Sequence, residues 1–154
     1  MTVRRNLFLG LVYVLAMFLL AGCGGGAIAR WFHARAPQVR GDAVEVSPTV
    51  ARLAHEYFDF PAPDSHWRLL PGDVRDHLKG ERSVYDFILV DLEERQQTPD
   101  WIVGGPFLND CRRHLADTGM LMINLISGSV DDAADALFGI RQVFDAGVHL
   151  ISNP

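Results

Sequence analysis

Val12-Tyr13-Val14-Leu15-Ala16-Met17-Phe18-Leu19-Leu20 is an uninterrupted apolar run, and Ala21-Gly22-Cys23-Gly24-Gly25-Gly26 follows it directly. A strand buried on both faces reads this way, because neither side of it meets water. Beyond the glycines, Ala27-Ile28-Ala29-Arg30-Trp31-Phe32 opens a helical pattern in which Ile28, Trp31 and Phe32 share one face. Strand, glycine loop and helix together form the pattern of a nucleotide-binding unit. The glycines let the backbone turn sharply and approach a ligand, and the helix N-terminus offers free N–H groups.

That pattern asks for an acidic residue about 20 positions on, at the end of the next strand. Asp42-Ala43-Val44-Glu45-Val46 supplies it, with Glu45 19 residues past Gly26. A carboxylate there accepts two hydrogen bonds from ribose hydroxyls. No Lys or Arg lies within the glycine loop, which favours a nucleoside over a pyrophosphate.

The same N-terminus supports a second, exclusive reading. Arg4 and Arg5, the apolar stretch that follows, and Leu20-Ala21-Gly22-Cys23 match an exported lipoprotein cleaved before Cys23. Cleavage there would remove the first strand. As a membrane span, Leu7 to Ala21 is short of the roughly 20 residues required.

Strands and helices alternate through the rest of the chain. Ser47-Pro48 is a helix start, with Ser as N-cap and Pro at the first position, and Val50, Leu53, Ala54, Tyr57 and Phe58 continue it. Trp67 to Leu70 is a third strand, closed by Pro71-Gly72-Asp73, where Asp73 caps a short helix ending at Gly80. Phe87 to Val90 is a fourth strand ending at Asp91, and Thr98 to Gly105 is a loop. Phe107, Leu108, Cys111 and Leu115 mark a fourth helix. Asp117-Thr118-Gly119 turns into a fifth strand from Met120 to Leu125. Leu137, Ile140 and Phe144 mark a fifth helix, and Val148 to Ile151 a sixth strand. The expectation is an α/β fold: a doubly wound, mostly parallel sheet with helices on both faces, spanning 12–154 after a basic and apolar segment at 1–11. Ligands of such sheets bind at the carboxyl ends of the strands. Gly22 to Gly26, Glu45, Asp73 and Asp91 collect there and suit a nucleoside carrying a cationic group.

The 154 residues are 49% hydrophobic and 21% charged, which excludes a disordered chain. Asp plus Glu number 19 against 14 Lys plus Arg, a net charge of −5. With no basic stripe, nucleic acid is an unsuitable partner. Cys23 and Cys111 cannot build a disulfide scaffold, and no His or Cys pair has metal spacing. Cys23 reads as a small filler of the loop rather than a nucleophile, Trp31 and Trp67 as core residues, and Glu93 and Glu94 as a solvated pair. Trp101 is placed to cover a ligand or, more simply, to pack.

From Leu19 to Phe144 the chain resembles the spermidine synthase family, a branch of the S-adenosylmethionine-dependent methyltransferase fold. The resemblance rests on Gly22 to Arg30, Val44-Glu45-Val46-Ser47-Pro48, Gly72-Asp73-Val74-Arg75, Tyr85 to Asp91, and Leu115-Ala116-Asp117-Thr118-Gly119. It implies that Gly22, Gly24 and Gly26 line the amino-acid or aminopropyl end of the co-substrate. It also implies that Glu45 holds the ribose, Asp73 meets the adenine amino group, and Val74 borders the ring. Asp91 would be catalytic, accepting a proton from the attacking amine. Where the family often carries Asp-x-x-Asp, this chain has Asp91-Leu92-Glu93-Glu94, so Glu94 becomes the substrate-binding counterpart. The implied co-substrate is decarboxylated S-adenosylmethionine, the implied partner a polyamine such as putrescine, with no metal, in the cytoplasm. The family's small N-terminal β domain and its final strand have no counterpart in these residues, which leaves open a fragment, a divergent paralogue, or a domain that works with a partner domain or as a homo-oligomer. A methyltransferase using S-adenosylmethionine and a non-catalytic nucleoside-binding module are the alternatives on the same fold.

Overall fold

A computed structural model describes residues 16–62, 66–80, 83–144 and 147–149. β1 (Met17–Ala21) is the core of the apolar run that opens the sequence. Residues 12–15 of the expected strand, and the segment 1–11, lie outside the described residues. The elements then alternate: α1 (Ala27–Arg35), β2 (Arg40–Glu45), α2 (Pro48–Tyr57), β3 (Trp67–Pro71), α3 (Val74–Gly80) and β4 (Tyr85–Val90). A 3₁₀ turn (Asp100–Ile102) lies in the expected loop, followed by α4 (Gly105–His114), β5 (Leu115–Ile123) and α5 (Val130–Val143).

The five strands are all parallel, in the order β3-β2-β1-β4-β5. β1 is central, pairing Leu19 with Asp42 on one side and with Ile88 on the other. Its side chains alternate between two cores, as the pleat requires. Leu19 and Ala21 join Val74 and Leu78 of α3 and Phe107 and Cys111 of α4. Phe18 and Leu20 join Ala29 of α1 and Ala54 of α2. α1 and α2 therefore cover one face, and α3 and α4 the other. The chain leaves β1 toward one face and leaves its neighbour β4 toward the opposite one, the switch point at whose strand carboxyl ends open α/β sheets bind their ligands.

Local chemistry accounts for the element ends. The Ser47 hydroxyl accepts the Val50 N–H at 3.3 Å, and Pro48 sits in the first turn of α2. Asp42, fully buried in β2, accepts two guanidinium N–H bonds from Arg68 at 2.6 and 2.7 Å and the Tyr85 hydroxyl at 2.9 Å. His114 lies between the carbonyls of Ser83 (2.8 Å) and Leu78 (2.7 Å), tying the end of α3 to the entry of β4.

Three expectations are corrected. Leu115 is the first residue of β5 rather than part of α4, and the turn at 117–119 is a bulge inside that strand. The register steps from Tyr85↔Leu115 to Phe87↔Met120 across it. Trp31 is not core: it is 54% exposed, while Ile28 and Phe32 pack inward, because the sheet covers only a narrow stripe of α1. Of the expected sixth strand, Val148 and His149 are not in a strand, and residues 150 and 151 lie outside the described residues.

Candidate functional site

Gly22, Gly24 and Gly26 all take left-handed backbone conformations, with φ of 88°, 47° and 72°. At Gly22 the requirement is also spatial. A Cβ there would stand 2.3 Å from the Asp91 carbonyl oxygen and 2.8 Å from Leu92 Cδ2. The ends of β1 and β4 thus touch at the switch point, and the Asp91 N–H donates to the Ala21 carbonyl at 2.9 Å. Gly26 ends the loop as N-cap of α1 with no side-chain cap, which leaves first-turn N–H groups without an intrahelical partner. Cys23 is nearly buried, and burial together with the Glu45 charge pushes its thiol up to about 11, so it is a poor nucleophile at neutral pH.

Three acidic residues and an amide follow the sheet order along one edge. Asp73 follows β3, Glu45 ends β2, Asp91 follows β4, and Asn124 follows β5. Glu45 is 8% exposed; its Oε1 accepts the Ser47 N–H at 3.0 Å, and its carbonyl accepts the Gly72 N–H at 2.9 Å. Val74 is buried in the core beneath α3. Glu94 is exposed and stands in a two-residue turn, paired through its backbone with Gln97, where Arg95 and Gln96 both have positive φ. Glu94 lies three residues past Asp91, in the loop that follows β4.

Asp73 does not stand free. It accepts the Arg75 N–H at 2.8 Å, and its two oxygens take Arg75 Nε at 3.0 and 3.1 Å and Nη2 at 2.5 Å. The Arg75 guanidinium holds this carboxyl below the usual carboxylate range. The same guanidinium lies over the Trp101 ring, 4.5 Å from its centroid, and Trp101 is braced edge-on by Phe107 at 5.0 Å.

Sequence reasoning missed Asn124, whose Nδ2 donates to Asp91 Oδ1 at 2.9 Å. It is the first polar residue after the apolar part of β5, so the strand-end rule that found Asp91 also points to it. Thr98 joins the two neighbouring loops, accepting the Ile126 N–H at 2.8 Å and donating to the Asn124 carbonyl at 3.2 Å. Beside this junction lies a cavity of about 410 Å³ lined by Thr98, Asp100, Ile126, Gly128, Asp132 and Asp135. Its three carboxylates favour a cationic occupant. Among the described residues, no group of three or more His, Cys, Asp or Glu is placed to hold a metal ion, and no helix is long and apolar enough to cross a membrane.

No family model matches the chain. It is 35% identical over 107 residues to the polyamine aminopropyltransferase of Neisseria meningitidis, across 70% of this chain and 41% of that relative. A probable spermidine synthase from Corynebacterium glutamicum superposes with a TM-score of 0.78 at 27% identity, over 86% of this chain and 48% of that one. This chain belongs to the spermidine synthase family. Human methyltransferase-like protein 13, solved with SAH, shares the fold with a TM-score of 0.78 at 22% identity, over 90% of this chain and 71% of that one. The mouse eEF1A lysine and N-terminal methyltransferase is 29% identical over 136 residues, 82% of this chain and 19% of that relative. This spermidine synthase relative therefore has the methyltransferase-like Rossmann fold, and it spans less than half the length of the curated aminopropyltransferases it matches.

Proposed function

We propose that this chain binds decarboxylated S-adenosylmethionine at the switch point and transfers its aminopropyl group to an amine such as putrescine. The observation that carries the reading is the Asp91 carboxylate, held by Asn124 just past the end of β4, on a residue whose backbone carbonyl abuts Gly22 of the glycine loop. In the reaction the amine lone pair forms a bond to the carbon next to the sulfonium. The C–S bond breaks, its electron pair stays on sulfur, and neutral methylthioadenosine leaves. The thioether needs no acid to depart, so the residues have only to position the reactants and take one proton.

Each residue then has a task. The glycines let the loop lie against the co-substrate without side chains. Glu45 keeps an oxygen for the ribose hydroxyls, and Asp73 faces the adenine amino group with Val74 behind it. Asp91 receives the proton of the attacking amine, and the carboxylates of the strand ends and of Glu94 attract the cationic acceptor. Chemistry of this kind suits a cytoplasmic protein. Processing at Cys23 in the native host would support export instead, in a chain that has lost its central strand.

The test is calorimetric titration of the full chain with decarboxylated S-adenosylmethionine, S-adenosylmethionine and methylthioadenosine, followed by an assay with putrescine. Preference for the decarboxylated form with turnover is the expected result. Preference for S-adenosylmethionine would favour the methyltransferase reading, which the mouse relative supports. Binding without turnover would leave a nucleoside-binding module.

A further inference from the structure

Arg75 reproduces, from within the chain, the contacts that a purine base would make. Its planar guanidinium is stacked on the Trp101 indole and directs several N–H donors at both oxygens of Asp73. A purine with an exocyclic amine uses the same two groups, an aromatic face and a carboxylate acceptor. The contact also bridges the β3–α3 connection to the β4–α4 loop, on the α3 and α4 face of the sheet. Both anchors are fixed. Asp73 is bound to the backbone of Arg75, and Trp101 is held by Phe107. Arg75 itself is the movable partner, since its side chain is 47% exposed.

We infer that Arg75 occupies the base subsite in the free protein and swings out when the nucleoside enters, so that it sets affinity by competing for Asp73 and Trp101. The inference rests on the proposed nucleoside-binding function. A base must break the guanidinium contacts before it can make its own, and the apparent affinity falls by the fraction of protein in which the subsite is closed. The exchange also favours a base with an amino group. A carbonyl at that position would meet the Asp73 carboxylate without a hydrogen to share, and Arg75 would keep its place.

The experiment is calorimetric titration of the full-length chain and of its Arg75→Ala and Arg75→Lys variants with methylthioadenosine and with methylthioinosine, which has a carbonyl in place of the exocyclic amine. The expected result is that Arg75→Ala binds methylthioadenosine about fivefold to tenfold more tightly, the range of one cation–π contact plus an exposed ion pair. Arg75→Lys, which keeps the charge but loses the planar fork, falls between the two. The gain is smaller for methylthioinosine, a difference that a merely structural role for Arg75 would not produce. Equal or weaker binding by Arg75→Ala, or equal gains for both nucleosides, overturns the competition while leaving the nucleoside site intact. Absence of methylthioadenosine binding by every variant overturns the base subsite itself. Binding by Arg75→Ala alone supports the competition in its strongest form.

Discussion

Asn124 Nδ2 donates to Asp91 Oδ1 at 2.9 Å, joining the ends of the neighbouring strands β4 and β5 through their side chains. The bond fixes which way the Asp91 carboxylate faces and leaves its second oxygen for an incoming amine. Asp91→Asn is expected to lower kcat by about 10²–10⁴ with little change in nucleoside binding. Asn124→Ala removes only the orienting bond, worth about 1 kcal/mol, so turnover should fall about fivefold to tenfold. Steady-state kinetics with titrated nucleoside affinities check both. Full activity in Asp91→Asn would remove Asp91 from the reaction.

Gly22 and Gly24 are expected to respond differently to alanine. At Gly22 the new Cβ meets the Asp91 carbonyl at 2.3 Å, and neither backbone can retreat without opening the β1–β4 pairing. The cost should exceed about 3 kcal/mol, the sum of overpacking and left-handed strain. At Gly24 nothing lies within 4 Å, so only the left-handed φ is penalised, by about 1–2 kcal/mol. Urea unfolding midpoints of the two variants give the comparison.

Asp42 illustrates how a buried charge depends on its partners. Arg68→Ala leaves the Asp42 carboxylate buried with its main counter-charge gone, and should cost about 3–5 kcal/mol. Tyr85→Phe removes one hydroxyl donor from the same carboxylate, and should cost about 1–2 kcal/mol. The reverse ranking in denaturant titrations would mean that Arg68 contributes little.

The Asp73 carboxyl is held below its unfolded value by Arg75. The resulting stabilisation is in force above about pH 4, where the unfolded carboxyl is already ionised, and disappears as pH falls through the lower folded value. Asp73→Asn has no such contribution to lose. Its melting temperature should therefore fall less steeply than the wild type's below about pH 4. Parallel acid-side melting curves are the measurement.

Both cysteines should resist modification. Burial pushes Cys111 up to about 12, and burial with the Glu45 charge pushes Cys23 up to about 11. Iodoacetamide at about pH 8 should alkylate neither in the folded protein and both after unfolding, because the thiolate is the reacting form. Rapid labelling of Cys23 in the native state would contradict the packed glycine loop.

The sequence makes the sheet readable because strands covered on both faces leave continuous apolar runs such as Phe87 to Val90, which no amphipathic helix needs. The strand-end rule picks out Glu45, Asp73 and Asp91 because each is an acidic residue at, or within two positions beyond, the end of its strand. What stayed hidden depends on pairs far apart in the chain. Nothing in the order of residues announces that Arg75 lies on Trp101, or that Arg68 and Tyr85 meet at Asp42. Helical spacing put Trp31 on the same face as Ile28 and Phe32, but spacing does not say how wide a stripe the sheet will cover. Asp117-Thr118-Gly119 carries turn chemistry wherever it stands, so the sequence predicts a turn where β5 has a bulge.

The central place of β1 has a consequence for how the protein is made. Met17 at the start of β1 donates its N–H to Asp86 Oδ2, a partner 69 residues further along. A ribosome synthesising the chain releases the middle strand first and one of its two neighbours only after β2, β3 and three helices have emerged. Until then the most apolar segment described has an unpaired edge and a half-built cover. Loop closure over that distance is slow, and exposed strands of this kind are where nascent chains associate wrongly. The order of translation therefore makes β4 the step at which the nascent chain passes from an aggregation-prone half-sheet to a protected one.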